Sequence, residues 1–125
     1  MKLHHIGIAT EDIAATTAYL EKITEIESKS EVVFDPEQNA MLCMLHISNG
    51  TDIELIQGEV VKKLIKKGQY IYHLCYETDH LEAQIQTLTD RGGIVISSPK
   101  KAVLFGDKRV AFIMTEIGLV ELVEE

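Results

Sequence analysis

Apolar and polar positions along the chain alternate between two periods, and the order of those periods outlines the fold. Residues 3–9 predict a short strand, and Thr10, Glu11 and Asp12 then supply the oxygen-bearing side chains that start helices. Ile13, Thr17, Leu20 and Ile23 follow at near-helical spacing, which predicts a helix over 11–23. Residues 31–34 are β-rich, and Asp35 to Asn39 form a turn or loop around Pro36. Residues 40–47 form an apolar strand, Ser48-Asn49-Gly50 is a hairpin signal, and 51–57 is the returning strand. Residues 58–69, with Gly58 and Gly68 near the ends, suit a short amphipathic helix or a linker. Then the order repeats. A strand over 70–77 is followed by a helix over 79–91, with Leu81, Ile85 and Leu88 on one face and Gly92-Gly93 as its stop. A strand over 94–97, a loop with Pro99, a strand over 108–115, a turn at Glu116-Ile117-Gly118 and a last strand over 119–123 complete the chain.

The repetition extends to individual residues. His5 to Ile13 opens the first half and His73 to Leu81 the second, each a histidine among apolar residues followed by a polar helix start. Asp52 to Ile56 closes the first half and Leu119 to Val123 the second, each with a glutamate between apolar neighbours. Glu54 follows His5 by 49 residues, and Glu121 follows His73 by 48. The domain reading is therefore one domain over 1–125, with module 1 at 1–57, a linker at 58–69 and module 2 at 70–125. Taken singly, each glutamate would read as a solvent-facing position of an alternating strand, and each histidine as a satisfied core residue. Their duplication changes that balance. A carboxylate within an apolar strand is costly to bury unless it is paired or metal-bound. Two imidazoles and two carboxylates suit a divalent ion such as Zn, Ni, Co or Mn. His5, Glu54, His73 and Glu121 are thus the candidate metal ligands. His5, Gly7 and Ala9 should share one strand face, and His73, Cys75 and Glu77 another, with small neighbours leaving room for a ligand. His4 points the other way and reads as structural or surface; His46 and His80 have no counterpart and receive no role.

Composition narrows the classes. The net charge of −8 argues against nucleic acid as a general partner. No apolar run approaches the roughly 18 residues of a membrane span. The first residues lack a signal-peptide core, which points to the cytoplasm. Cys43 and Cys75 sit in apolar stretches and read as buried, reduced core residues. Lys62, Lys63, Lys66 and Lys67 read as solvated helix lysines. Lys100, Lys101, Lys108 and Arg109 read either as a solvated loop or as a site for an anion such as a phosphate.

The His5–Ile13 segment, the Asp52–Ile56 strand, the segment from Tyr72 to Ile85 and the terminal Gly118–Glu125 segment together resemble the vicinal oxygen chelate superfamily over essentially the whole chain. The resemblance implies an α+β fold of two βαβββ modules whose mixed sheet curls, half-open, around one metal held by His5, Glu54, His73 and Glu121. Among its members, methylmalonyl-CoA epimerase is the most similar, through His4 to Ala9 and Tyr72 to Glu77. It implies a metal-dependent epimerase or isomerase that abstracts a proton next to the thioester of an acyl-CoA. Pro36 to Ala40 resembles the loop that carries an acidic residue in that branch. Glu37 is accordingly the implied first base, and Glu121, a ligand beside the substrate, the second. Glu77 is the weaker alternative and reads rather as a helix-entry charge. Asn39 and Ala40 depart from the Gly and Val usual in that loop. The segments from Ser98 to Gly106 and Lys108 to Phe112 are similar to small epimerase-like proteins of secondary metabolism. The relatives also imply a homodimer. A glyoxalase I-type lyase is the nearest enzymatic alternative, although no arginine pattern for glutathione stands beside Ile6-Gly7-Ile8. A fourth ligand at Glu54 argues against an extradiol dioxygenase. A non-catalytic drug-binding protein of the resistance type would often lack the ligands that this chain retains.

Overall fold

A computed structural model describes residues 1–125. The architecture is α+β, and the chain divides into two compact units, one of His5–Tyr72 and one of Met1–His4 with His73–Glu125. In the first unit the elements run β1 (Lys2–Ala9, belonging here from His5 onward), α1 (Ile13–Ile23), β2 (Ile26–Lys29), β3 (Val33–Asp35), β4 (Ala40–Ile47), β5 (Asp52–Gly58) and α2 (Glu59–Lys66). Its strands are ordered β2-β4-β5-β1, with β3 paired to β4. β1 and β5 run parallel, whereas β4 is antiparallel to β2, β3 and β5, so the sheet is mixed. The second unit follows with β6 (Ile71–Thr78), α3 (Leu81–Asp90), β7 (Ile94–Lys101), a 3-10 turn (Val103–Phe105), β8 (Arg109–Thr115) and β9 (Gly118–Glu124). Its order is β6-β9-β8-β7, with β6 and β9 parallel and the remaining pairs antiparallel.

Each unit buries one sheet face under a helix. Asp12 caps α1 by accepting a hydrogen bond from the Ala15 N–H at 3.1 Å, satisfying one of the helix's orphan donors. Ile13 and Leu20 of α1 then pack on Cys43, Leu45, Ile53 and Leu55. Leu45 and Leu55 are fully buried, and each stabilises the unit by about 1.5–3 kcal/mol through the apolar area it removes from water. In the second unit Leu81, Ile85 and Leu88 of α3 pack on Ala111, Ile113, Val120 and Leu122. The helix stops where Gly92 adopts φ +92 and the Gly93 N–H turns back to Leu88 O at 2.9 Å, a conformation that L side chains resist. Alternation along the strands then places Glu54 and Glu121 on the faces opposite these cores.

Several boundaries differ from the sequence reading. β2 was not anticipated, and the expected strand at 31–34 lies instead at Val33–Asp35. Within 58–69, the helix of the two alternatives is found, as α2 over Glu59–Lys66. The helix expected over 79–91 covers Leu81–Asp90, and the expected loop at Pro99 belongs to β7. Pro99 is tolerated because β7 is the edge strand of its unit's sheet and its pairing with β8 shifts register between Ser97 and Lys100. A residue without an N–H costs little where the ladder is already interrupted. No helix is long and apolar enough to cross a membrane. Cys43 and Cys75 are both buried free thiols.

The basic cluster also changes character. Arg109 Nη2 donates to Glu82 Oε1 at 2.7 Å and to Glu124 Oε2 at 2.9 Å, while the Arg109 backbone N–H donates to Glu124 Oε1 at 2.7 Å. Arg109 thus already serves two carboxylates through Nη2. The hydrogen bond from Arg109 holds both Glu82 and Glu124 below their ordinary value of 4.5, and the same contacts hold Arg109 above its own. Carboxyls depressed on folding stabilise the native state above their unfolded pKa and lose that contribution as pH falls through the folded one. Arg109→Met should therefore show a shallower loss of urea midpoint than the natural protein between about pH 5 and pH 3. Parallel acid profiles for the two would show that these pairs add nothing to stability.

Candidate functional site

Each of the two units contributes one histidine and one glutamate of the candidate set. In the first, alternate positions of β1 turn His5, Gly7 and Ala9 inward, and all three are buried. In the parallel ladder Glu54 of β5 lies opposite Gly7, two residues beyond His5. A two-residue step returns to the same sheet face, so Glu54 and His5 share a face. His5 Nε2 and Glu54 Oε1 lie 3.7 Å apart, with side chains 0% and 3% exposed.

The second unit repeats this geometry. Glu121 of β9 lies opposite Cys75 of β6, again two residues beyond the histidine, here His73. His73 Nε2 and Glu121 Oε1 are 3.1 Å apart, with side chains 0% and 4% exposed. Phe112 meets the His73 ring edge-on at a centroid distance of 5.5 Å, which restrains its orientation. The antiparallel neighbours correspond as well, Met44 opposite Glu54 and Phe112 opposite Glu121. Gly7 and Cys75 are the small residues that sequence alternation placed beside the histidines, and both are buried.

Buried imidazole nitrogens facing buried carboxylate oxygens are a donor set suited to a divalent cation, and all four residues are of ligating type. A cation would offset the cost of holding carboxylates out of water. The residues present therefore fit the metal that the sequence reading expected.

Glu37 belongs to neither pair. It sits on the exposed four-residue turn that joins β3 to β4. Its backbone N–H donates to Asp35 Oδ1 at 2.9 Å, and Gln38 Nε2 donates to Asp35 Oδ2 at 2.8 Å. Asp35 itself is buried, at 6% exposure. Beside this turn lies a groove of about 780 Å³ that includes Phe34, Asn39, Met41, Gln57, Lys62 and Ile65 in its lining. Sequence reasoning took Asp35 as a turn former, and its carboxylate-to-N–H bond two residues on is that turn's local signature; its burial is what the sequence did not show. Glu77, the weaker candidate base, lies 3.7 Å from Lys2 Nζ. Among the remaining histidines, His4 stacks edge-on with Phe105, His46 Nδ1 lies 2.8 Å from Asp52 Oδ2, and His80 precedes α3 as its cap position.

Residues 4–112 match the Glyoxalase/Bleomycin resistance protein/Dioxygenase superfamily, and the chain belongs to that superfamily. Solved structures similar to it include a hypothetical protein from Bacillus halodurans C-125, at 25% identity and TM-score 0.76, with 99% of this chain and 94% of that one covered. A glutamate-to-glutamine variant of methylmalonyl-CoA epimerase from Streptomyces coelicolor, in complex with 2-nitronate-propionyl-CoA, is similar at 25% identity and TM-score 0.77, covering 100% and 97%. Methylmalonyl-CoA epimerase from Mycobacterium tuberculosis shares the fold at 21% identity and TM-score 0.76, covering 98% and 87%. No curated protein matches the sequence.

Proposed function

We propose that this protein is a metal-dependent epimerase that removes and returns the proton α to the thioester carbonyl of an acyl-CoA. The observation that carries this reading is the duplicated pair, in which each unit sets a buried glutamate opposite the residue two places beyond a buried histidine. His5, Glu54, His73 and Glu121 would hold one divalent ion of the Zn, Ni, Co or Mn class. When bound, such an ion supplies Lewis-acid stabilisation for the negative charge that develops on a carbonyl oxygen.

The chain's own residues supply the proton chemistry. Inverting a carbon centre requires one base on each face, the first to take the proton and the second to deliver one from the opposite side. Glu37 and Glu121 fill these roles. Glu37 lies on an exposed turn, whereas Glu121 is buried beside His73. The likeness to an epimerase structure in complex with 2-nitronate-propionyl-CoA supports an acyl-CoA as the substrate class.

The reading is tested by loading chelator-stripped protein with each metal and incubating it with methylmalonyl-CoA and related acyl-CoA thioesters in D₂O. Deuterium at the α-carbon, dependent on both metal and protein, is the expected result. Turnover of methylglyoxal with glutathione, and no deuterium in any thioester, would instead identify a lactoylglutathione lyase.

A further inference from the structure

Asp35 is a buried carboxylate outside both His–Glu pairs, and nothing in the proposed chemistry yet employs it. Both of its oxygens are spoken for. Oδ1 accepts the Glu37 backbone N–H at 2.9 Å, and Oδ2 accepts Gln38 Nε2 at 2.8 Å. One side chain thus restrains two successive residues of the β3–β4 turn, the first of which is the proposed base. An ionised carboxylate can only accept hydrogen bonds, so it also fixes which end of the Gln38 amide faces it.

The other end of the turn is held independently. Asn39 adopts φ +51, a left-handed conformation that asparagine tolerates better than most residues. Gly58 pairs with Ala40 across the sheet, and a Cβ there would lie 2.8 Å from Asn39 O and 3.0 Å from Ala40 Cα. The backbone of β5 therefore packs directly against the end of the turn, and only glycine allows that approach. Between these anchors the Glu37 backbone has little freedom, although the turn itself is exposed.

We propose that Asp35 is a positioning residue that holds Glu37 in line with the reacting carbon. This rests on the reading of Glu37 as a base. A proton-transfer group must stay within hydrogen-bond reach of its target, and a displacement of about 1 Å can cost about 100-fold in rate. The short β3–β4 ladder and the packing of β5 hold the ends of the turn, and within it Asp35 supplies two bonds to Glu37 and Gln38.

The test compares Asp35→Ala, Asp35→Asn, Glu37→Gln and the Asp35→Ala/Glu37→Gln double variant in metal-loaded protein, by kcat and KM for α-proton exchange in D₂O. Asp35→Ala should lower kcat about 100-fold, with KM and bound metal unchanged. Asp35→Asn retains an acceptor for the Glu37 N–H and gives up the acceptor for Gln38, so it should cost about fivefold. In the Glu37→Gln background, Asp35→Ala should have no further effect, because Asp35 acts through Glu37. An unchanged kcat in Asp35→Ala, or the same loss with and without Glu37, would overturn the proposal. The isosteric Asp35→Asn guards against misfolding: a loss as large as that of alanine, with metal binding also gone, would assign Asp35 to folding instead. Hydrogen exchange at the Glu37 amide separates this proposal from the reading beneath it. The amide should be protected in the natural protein and exposed in Asp35→Ala even if Glu37→Gln proved fully active, an outcome that would remove Glu37 as the base.

Discussion

Glu37→Gln leaves the cation bound and lowers epimerisation by about 10²–10⁴, the range that a positioned acid–base group supplies. Glutamine keeps the size of the side chain but cannot take a proton at neutral pH. Glu37 lies outside both His–Glu pairs, on the turn between β3 and β4, so metal content should be indistinguishable from that of the natural protein. The loss should fall on kcat, since a base that acts in the transition state adds little to ground-state binding. The measurement is deuterium incorporation under saturating acyl-CoA, with metal content read on the same sample. Activity within a factor of about two of the natural protein would eliminate Glu37, and Glu77 would become the residue to test.

His73→Ala removes metal affinity and, with it, turnover. Mutating a partner that merely orients a ligand typically costs about 10–100-fold in affinity, and removing a ligand itself should cost more. The substitution also removes the imidazole nitrogen that lies 3.1 Å from Glu121 Oε1. The repeat sharpens the expectation. His5 occupies the equivalent place in the other unit, so His5→Ala should cost a similar factor in metal affinity. Titrating each stripped variant with Co or Zn in a calorimeter gives both numbers. Tight metal binding by either variant would show that the corresponding histidine is not a ligand.

Much of this arrangement was legible in the chain because it follows from a period of two and a duplicated pattern. The near-equal spacings from His5 to Glu54 and from His73 to Glu121 reported a shared register, and the structure gives both glutamates the same offset from their histidines. Alternation likewise placed Gly7 and Cys75 beside them. What was missed lacks a local hydrophobic signal. Ile26 is partly buried while Glu27, Ser28 and Lys29 are exposed, so β2 shows no alternation and owes its existence to pairing with β4. Tertiary partners also outweighed local preference at Pro99, where an edge strand accepts a residue that would break a central one. α2 was ambiguous because eight residues are few for a periodic signal. Its sole fully buried side chain, Val61, becomes visible only with the sheet beneath it. Asp35 read as a turn residue, and its burial could not be seen, because burial depends on β3 folding back on β4.

The proposed function requires both imidazole–carboxylate pairs to serve a single ion. Metal stoichiometry of the stripped, reloaded protein measures this directly: the prediction is one tightly bound divalent ion per chain, abolished by alanine at either His5 or His73. Two ions per chain, one of which survives each substitution, would mean two separate sites, and none at all would leave the pairs as structural contacts.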